Sequence, residues 1–204
     1  MPAYDAILFD FDGVLLDSEP VQCECWAAVL RPMGIHLTWE DYRRRFVGVV
    51  AREMLRVLAA ENDPPLDQMT LRALYPQKRD LFQRRMMADP AFDPALDGLL
   101  TALHARHKLA VVTSSNALEI SPVLEAGGLL HHFDTVVGGA DVSEQKPAPE
   151  PYLLAASRLG VHAPLVVEDS EAGIASGRAA GFEVLEVQNA ADVPRLLRRA
   201  VLDT

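Results

Sequence analysis

Short, mostly apolar runs recur along the chain, and most of them end where polar or charged residues begin. Continuous rather than alternating hydrophobicity is typical of strands that are buried on both faces of a parallel sheet. Five such runs predict strands at 4–9, 109–112, 135–137, 165–167 and 184–187. Apolar residues at helical spacing predict helices at about 94–106, 117–126, 150–159, 171–180 and 193–202. Strands that alternate with helices favour an α/β fold with a doubly wound parallel sheet.

One long stretch breaks this alternation. Between residues 17 and 89 the pattern shows no convincing strand, and apolar residues follow helical spacing instead, as in 54–58. We therefore predict an α/β core formed by 1–15 and 93–204, with an all-helical cap at 16–92 inserted after the first strand. Both connections to this insertion are short, which would allow it to hinge over the sheet.

Composition and charge narrow the classes of function. The 204 residues are 50% hydrophobic and 24% charged, which is typical of a soluble protein with a proper core. Acidic residues outnumber basic ones by 29 to 19, and this balance disfavours nucleic acid and anionic lipid as partners. Cys23 and Cys25 are too close for an ordinary disulfide framework, which favours a reducing compartment. We expect a cytoplasmic monomer that binds neither nucleic acid nor membrane.

Polar residues follow the predicted strands at the edge where open α/β sheets bind ligands. They are carboxylates, hydroxyls and one lysine: Asp10, Asp12, Thr113, Ser114, Lys146, Glu168 and Asp169. Clustered carboxylates repel one another unless a cation lies among them, and a few hard oxygen ligands suit Mg²⁺. A lysine and hydroxyl donors suit the remaining oxygens of a phosphoryl group. The pattern therefore predicts Mg²⁺-dependent phosphoryl transfer.

Most of these residues also have a structural interpretation. Asp12 can occupy a turn, Thr113 can cap the helix that follows it, and Lys146 can be a solvated loop lysine. The adjacent carboxylates Glu168 and Asp169 are harder to explain in this way, because they end a buried strand. The occurrence of all these residues in order favours the catalytic interpretation.

Four ordered motifs resemble those of the haloacid dehalogenase superfamily. They are Asp10-Phe11-Asp12-Gly13-Val14, Thr113, Lys146-Pro147 and Glu168-Asp169-Ser170. The segments 17–20, 146–149 and 168–174 are similar, more narrowly, to those of the β-phosphoglucomutase-like phosphatases with a helical cap. The likeness covers nearly the whole chain, and four motifs in order are far more specific than any one of them.

The resemblance implies a role for each motif residue. Asp10 would be the nucleophile that forms an aspartyl phosphate. Asp12 would protonate the leaving alcohol and then activate water. Thr113 and the amide of Ser114 would hold phosphoryl oxygens, and Lys146 would neutralise charge on the nucleophile and the phosphoryl group.

The resemblance also implies a Mg²⁺ site and favours one branch of the family. The expected ligands are Asp10, the main-chain carbonyl of Asp12, Asp169, and Glu168 either directly or through water. Dehalogenases lack an acid at the position of Asp12, because a halide leaves without a proton whereas an alkoxide needs one. Asp12 therefore favours phosphate-ester chemistry.

Within the predicted cap, the segment 46–48 followed by Arg52 resembles the substrate-facing segment of the family. Gly48 and Arg52 are therefore candidate substrate-binding residues, although Arg52 could equally form a surface salt bridge. Gln22 stands where many relatives place a histidine, and Val50 stands near a position where many place Ser or Thr. These differences weigh against a phosphomutase.

We therefore expect an Mg²⁺-dependent phosphatase that hydrolyses small phosphate monoesters, with sugar phosphates as the expected substrates. One alternative is a β-phosphoglucomutase-type phosphomutase, which would pass the phosphoryl group to a sugar hydroxyl. Another is a non-catalytic protein that binds phosphorylated metabolites. Fold alone does not separate these functions, because function depends on the site.

Overall fold

The computed structural model describes residues 4–90 and 92–203. Its sheet consists of five strands: β1 (Ala6–Phe9), β2 (Lys108–Val112), β3 (Thr135–Val137), β4 (Leu165–Glu168) and β5 (Glu183–Glu186). The strand order is β3-β2-β1-β4-β5, and all neighbours are parallel. Each strand overlaps its predicted run, and the predicted doubly wound α/β fold is confirmed.

Helices make up most of the remaining structure. Those between β1 and β2 are α1 (Glu19–Leu30), α2 (Trp39–Arg45), α3 (Ala51–Glu61), α4 (Gln68–Arg72), α5 (Tyr75–Ala88) and α6 (Ala95–His104). Those after β2 are α7 (Ala117–Ala126), α8 (Glu150–Leu159), α9 (Glu171–Ala179) and α10 (Val193–Leu197). Short 3₁₀ helices lie at Arg31–Met33, Leu130–His132 and Ala190–Asp192, and a π-helical turn at Arg198–Leu202 follows α10. No helix in the described ranges 4–90 and 92–203 is long and apolar enough to span a bilayer.

The described residues fall into two compact units. The first, the α/β core, comprises the described residues of Met1–Asp17 and Pro90–Thr204, and the second comprises Ser18–Asp89. We call the second unit the helical insertion; it is described throughout and contains no strand. Its bounds fall within the predicted cap at 16–92.

The central strand of the α/β core is buried because helices lie on both faces of the sheet. All residues of β1 are buried, and successive side chains point to opposite faces. Ala6 and Leu8 cluster with Tyr152 of α8 on one face. On the other face, the Phe9 ring meets Phe133 edge-on, with the ring centroids 5.9 Å apart.

Helix α6 illustrates how local sequence forms one of these covering layers. The Asp93 side chain accepts a hydrogen bond of 2.8 Å from the Ala95 amide at the start of the helix. Leucines then recur at helical spacing and are all buried: Leu96, Leu99, Leu100 and Leu103. This apolar stripe packs on the sheet at β2.

The helical insertion has an apolar core of its own. This core includes Trp26, Tyr42 and Leu55. Cys23 and Cys25 of α1 are buried and not joined by a disulfide. Burial and the acidic neighbours Glu24 and Glu19 raise the pKa of the Cys23 thiol to about 11, so the reactive thiolate is scarce at neutral pH.

Candidate active site

The parallel sheet brings the predicted strand-end residues together at its carboxyl edge. The chain leaves β1 at Asp10, whose amide donates to the Val167 carbonyl of β4 at 3.0 Å. Lys146 Nζ lies 2.7 Å from Asp10 Oδ1 and 2.6 Å from Glu168 Oε1. The same ammonium donates to the Val112 carbonyl at the end of β2, at 2.9 Å. One lysine thus joins three strand ends.

Lys146 remains charged although it is buried. Burial alone would lower its pKa, but the Asp10 and Glu168 carboxylates outweigh that effect and hold the pKa of Lys146 above its ordinary value. Its ammonium also lies 5.0 Å from the centre of the Tyr152 ring. The site therefore contains a fixed positive charge directly beside the predicted nucleophile.

Glu168 is a fully buried hub of hydrogen bonds. Its Oε1 accepts from Lys146 and, at 2.8 Å, from the Tyr152 hydroxyl. Its Oε2 accepts from the amides of Asp169 and Ser170 at 3.0 and 3.1 Å, and from the Ser170 hydroxyl at 3.1 Å. Burial would raise the pKa of Glu168, but Lys146 and these hydrogen bonds lower it. Direct metal coordination would have to break one of these bonds, which favours a positioning role for Glu168.

Two glycines make room for the carboxylates of the site. Gly13 has φ of +80°, and a Cβ there would overlap the Asp169 carboxylate. A Cβ at Gly173, near the start of α9, would overlap the Glu168 carboxylate. The Gly173 amide donates to Ser170 Oγ at 3.0 Å, so the hydroxyl that binds Glu168 also caps α9.

Crowding of carboxylates at this edge creates a place for a cation. Burial raises the pKa of Asp10 well above its ordinary value; Lys146 opposes this rise, and Glu168 and Asp12 add to it. Burial and the neighbouring Glu168 carboxylate raise the pKa of Asp169 to about 6. Asp10, Glu168 and Asp169 each offer an oxygen, and these atoms lie within 4.8 Å of one another. A hard divalent cation fits this all-oxygen donor set and would relieve the repulsion.

The end of β2 supplies the hydroxyl groups. Thr113 is buried, and its Oγ1 accepts a hydrogen bond from the Ser115 amide at 3.0 Å. This bond leaves the hydroxyl hydrogen of Thr113 available to an anionic oxygen. Ser115 Oγ lies 3.4 Å from Asp12 Oδ2, which links the loop after β2 to the loop after β1. Ser114, which lies between Thr113 and Ser115 in the sequence, is half-buried.

The predicted substrate-binding residues Gly48 and Arg52 belong to the helical insertion. Gly48 has φ of +73°, a left-handed conformation that favours glycine. Arg52 is exposed in the first turn of α3, and its carbonyl accepts from Gln68 Nε2 at 3.3 Å. Gln22 is buried in α1 and accepts a hydrogen bond from Lys78 of α5.

Sequence reasoning missed Tyr152 as part of the site. Tyr152 lies inside α8, where its spacing reads only as an apolar position of the helix. Its role depends on the packing of α8 against the sheet, which sequence spacing does not specify. Ser115 is one more hydroxyl after β2 in the sequence, next to Thr113 and Ser114, but the motifs assign it no role.

The Tyr152→Phe substitution tests the hydrogen bond from the Tyr152 hydroxyl to the buried Glu168 carboxylate. We expect it to lower the free energy of unfolding by about 2 kcal/mol, because a hydrogen bond to a charged carboxylate is lost. Lys146 still binds Glu168, so turnover should fall only several-fold. Urea unfolding and steady-state kinetics measure both effects. Tyr42→Phe, which loses a 2.9 Å bond to Glu19 in the helical insertion, is the matched control, and equal loss of turnover in both variants would contradict this role.

Comparison with known proteins identifies the family. Residues 7–187 match the profile of the haloacid dehalogenase-like hydrolases, so the chain belongs to that family and the predicted resemblance is confirmed. A "Phosphorylated carbohydrates phosphatase" of Thermotoga maritima is 36% identical over 183 residues, covering 88% of this chain and 82% of that protein. "Fructose-1-phosphate phosphatase YqaB" of Escherichia coli is 31% identical over 199 residues, covering 91% and 97%.

A solved structure supports the same assignment. The crystal structure of CbbY from Rhodobacter sphaeroides in complex with phosphate is similar to this chain with a TM-score of 0.79 and 25% sequence identity. The similarity covers 89% of this chain and 84% of that protein. The likeness therefore extends over the sheet and the helical insertion alike.

Proposed function

We propose that this hydrolase removes phosphate from small sugar phosphates, with Mg²⁺ as its cofactor and Asp10 as its nucleophile. The observation that carries the proposal is the 2.7 Å pair of Asp10 and Lys146 beside the carboxylate of Asp169. The names of the two phosphatase relatives support a phosphorylated carbohydrate as the substrate class. A site with fixed positive charge beside a carboxylate suits attack on a phosphate dianion.

In the first half of the reaction, an Asp10 carboxylate oxygen bonds to phosphorus as the ester oxygen leaves. Lys146 offsets the negative charge that gathers on the phosphoryl group, while Thr113 donates to one of its oxygens. Asp12 gives its proton to the departing alkoxide, which leaves as a neutral alcohol. The product bound to the chain is an aspartyl phosphate.

In the second half, Asp12 acts as a base. It takes a proton from a water molecule, whose oxygen attacks phosphorus and displaces the Asp10 carboxylate. Inorganic phosphate forms, and both aspartates return to their starting states. Ser115, which lies 3.4 Å from Asp12, orients that carboxylate in both halves.

Asp10, the main-chain carbonyl of Asp12 and Asp169 would hold the Mg²⁺ ion. When bound, the ion supplies positive charge that stabilises the phosphoryl oxygens in the transition state. Glu168 positions Lys146 and the Asp169 backbone and would contribute to the ion through a water molecule, since donors already occupy both of its oxygens.

The helical insertion is proposed to act as a cap that selects the substrate through Gly48 and Arg52. Hydrolysis is favoured over phosphomutation because Gln22 is a neutral amide that accepts from Lys78, rather than a titratable group. The cytoplasmic location and the monomeric state stay predictions from the sequence.

A panel of phosphate monoesters tests this function. Sugar phosphates should give higher kcat/KM than p-nitrophenyl phosphate and nucleoside monophosphates, and EDTA should abolish turnover until Mg²⁺ is restored. Turnover that persists in EDTA would contradict the metal requirement. Transfer of the phosphoryl group to a second sugar hydroxyl, instead of release of phosphate, would favour the phosphomutase.

The Gly13→Ala substitution tests whether activity depends on the position of the Asp169 carboxylate, and a control variant accounts for backbone strain. The new methyl group would displace the Asp169 carboxylate, so we expect the Mg²⁺ requirement to rise and turnover to fall by about 10²-fold. Gly181→Ala is the matched control, because Gly181 has φ of +81° with open space around it. Both variants should lose about 1 kcal/mol or more of stability from strain. Titration of activity against Mg²⁺ distinguishes them, and equal activity in the two variants would refute the placement of Asp169.

A further inference from the structure

A second cluster of metal-binding side chains lies in the α/β core. Asp97 is in the first turn of α6, and His131 and His132 are in the 3₁₀ helix that precedes β3. Each side chain offers one ligand atom, and the three atoms lie within 4.8 Å of one another. We propose that these three residues form a binding site for a divalent transition-metal ion such as Zn²⁺. The cluster shares no residue with the candidate active site.

The fold already holds part of this cluster in position. His132 is buried, and its Nε2 lies 2.8 Å from Asp97 Oδ1. The rings of His131 and His132 are neighbours, with centroids 3.9 Å apart. The Asp97 side chain is 67% exposed, so an ion can reach the cluster from solvent. One ligand is therefore fixed by burial, and the other two are accessible.

The donor set determines which ions the cluster suits. Two imidazole nitrogens and one carboxylate oxygen are typical ligands of Zn²⁺, Co²⁺, Ni²⁺ and Cu²⁺, whereas Mg²⁺ prefers oxygen donors alone. Zn²⁺ binds such atoms at about 2.0–2.2 Å, usually in tetrahedral geometry. The His132–Asp97 pair needs to open only slightly to admit an ion, which would replace the hydrogen on His132 Nε2. Three protein ligands leave the fourth position to water.

A plain ion pair between histidine and aspartate is the structural alternative. Helix α6, which carries Asp97, offers an example in His104, whose Nε2 lies 3.6 Å from Asp134 Oδ2. What distinguishes the cluster is the second imidazole of His131 beside a pair that is already close. His104 therefore provides a matched comparison: a histidine next to a carboxylate on α6, outside the cluster.

The two sites differ in chemical hardness. The strand-end carboxylates present only oxygen, while the cluster of Asp97, His131 and His132 presents mainly nitrogen. Mg²⁺ would therefore prefer the carboxylates, and a transition-metal ion would prefer the cluster. An ion at the cluster would tie α6 to the segment before β3. Binding to the folded state alone would stabilise the core in proportion to ion concentration and affinity.

Cobalt binding to the full-length chain tests the proposal. The protein is titrated with Co²⁺ in saturating Mg²⁺ at neutral pH, and visible absorption reports ligation by histidine. We expect one Co²⁺ per chain, displaced by Zn²⁺ but not by Mg²⁺. The variants His131→Ala and Asp97→Asn should bind at least about tenfold more weakly. His104→Ala should bind as the wild type does.

Three outcomes would overturn the site. They are absence of binding in saturating Mg²⁺, unchanged affinity in both cluster variants, and equal weakening by His104→Ala. His132 is left intact because it is buried and its loss could unfold the protein. Circular dichroism shows that each variant is folded before it is titrated.

Discussion

The Asp10→Asn variant is expected to lose turnover of every phosphate monoester by about 10⁴-fold or more. An amide oxygen is a poor nucleophile, so the covalent intermediate does not form. Asparagine keeps the shape of aspartate and can still accept a hydrogen bond from Lys146, which lies 2.7 Å from Asp10 in the wild type. The loss should therefore be chemical rather than structural. Steady-state kinetics with p-nitrophenyl phosphate and Mg²⁺ measure it.

Rapid quenching supplies an independent readout of the same residue. Wild-type protein stopped in acid during turnover should show a phosphoryl adduct on the peptide that contains Asp10, and the variant should show none. Stability should change little, because Glu168 still pairs with Lys146 at 2.6 Å. An adduct on another residue, or turnover within tenfold of the wild type, would reject Asp10 as the nucleophile.

The Lys146→Met variant is expected to suffer two large losses at once. Methionine is an unbranched side chain one atom shorter than lysine, and it leaves Asp10 and Glu168 buried without their cation. Removal of one partner of a buried ion pair costs about 3–5 kcal/mol of unfolding free energy. Loss of a preorganised positive charge beside the phosphoryl group should also reduce kcat by about 10²–10³-fold. Urea unfolding and kinetics below the unfolding transition measure the two effects separately.

A double-mutant cycle tests whether the stability loss comes from an unpaired buried charge. Adding Glu168→Gln to Lys146→Met should cost less than the sum of the two single changes, because one buried charge disappears with its partner. Lys108→Met is the matched control for the loss of a lysine away from the site. Lys108 donates to the Leu159 carbonyl at 2.6 Å and has no part in the site. Full additivity in the cycle would show that the two side chains are not coupled.

The strands were predictable from sequence because burial on both faces leaves a continuous apolar run. β2 and β3 coincide closely with the runs at 109–112 and 135–137. Strand ends were less predictable, because hydrogen-bond register decides them: β5 begins at Glu183, opposite Leu165. In the helical insertion, good helix formers fill 71–87, yet the structure divides them between α4 and α5.

The motif residues were predictable because parallel strands end at one edge of the sheet. Contacts that depend on how helices pack were not. Tyr152 reaches Glu168 from α8, and Asp97 reaches His132 across 35 residues of sequence. Adjacent histidines follow no common metal-binding spacing, so sequence spacing alone does not indicate a metal site at His131 and His132.

The edges of the sheet have a consequence for behaviour at high concentration. β3 has three residues, and β5 on the opposite side begins and ends with the exposed glutamates Glu183 and Glu186. The edge strands of two molecules can pair through their unpaired backbone groups and so begin aggregation. Short or charged edge strands disfavour this pairing. Like charges on two β5 strands would meet if two molecules tried to join there. The fold thus carries built-in protection against self-templated precipitation during expression and storage.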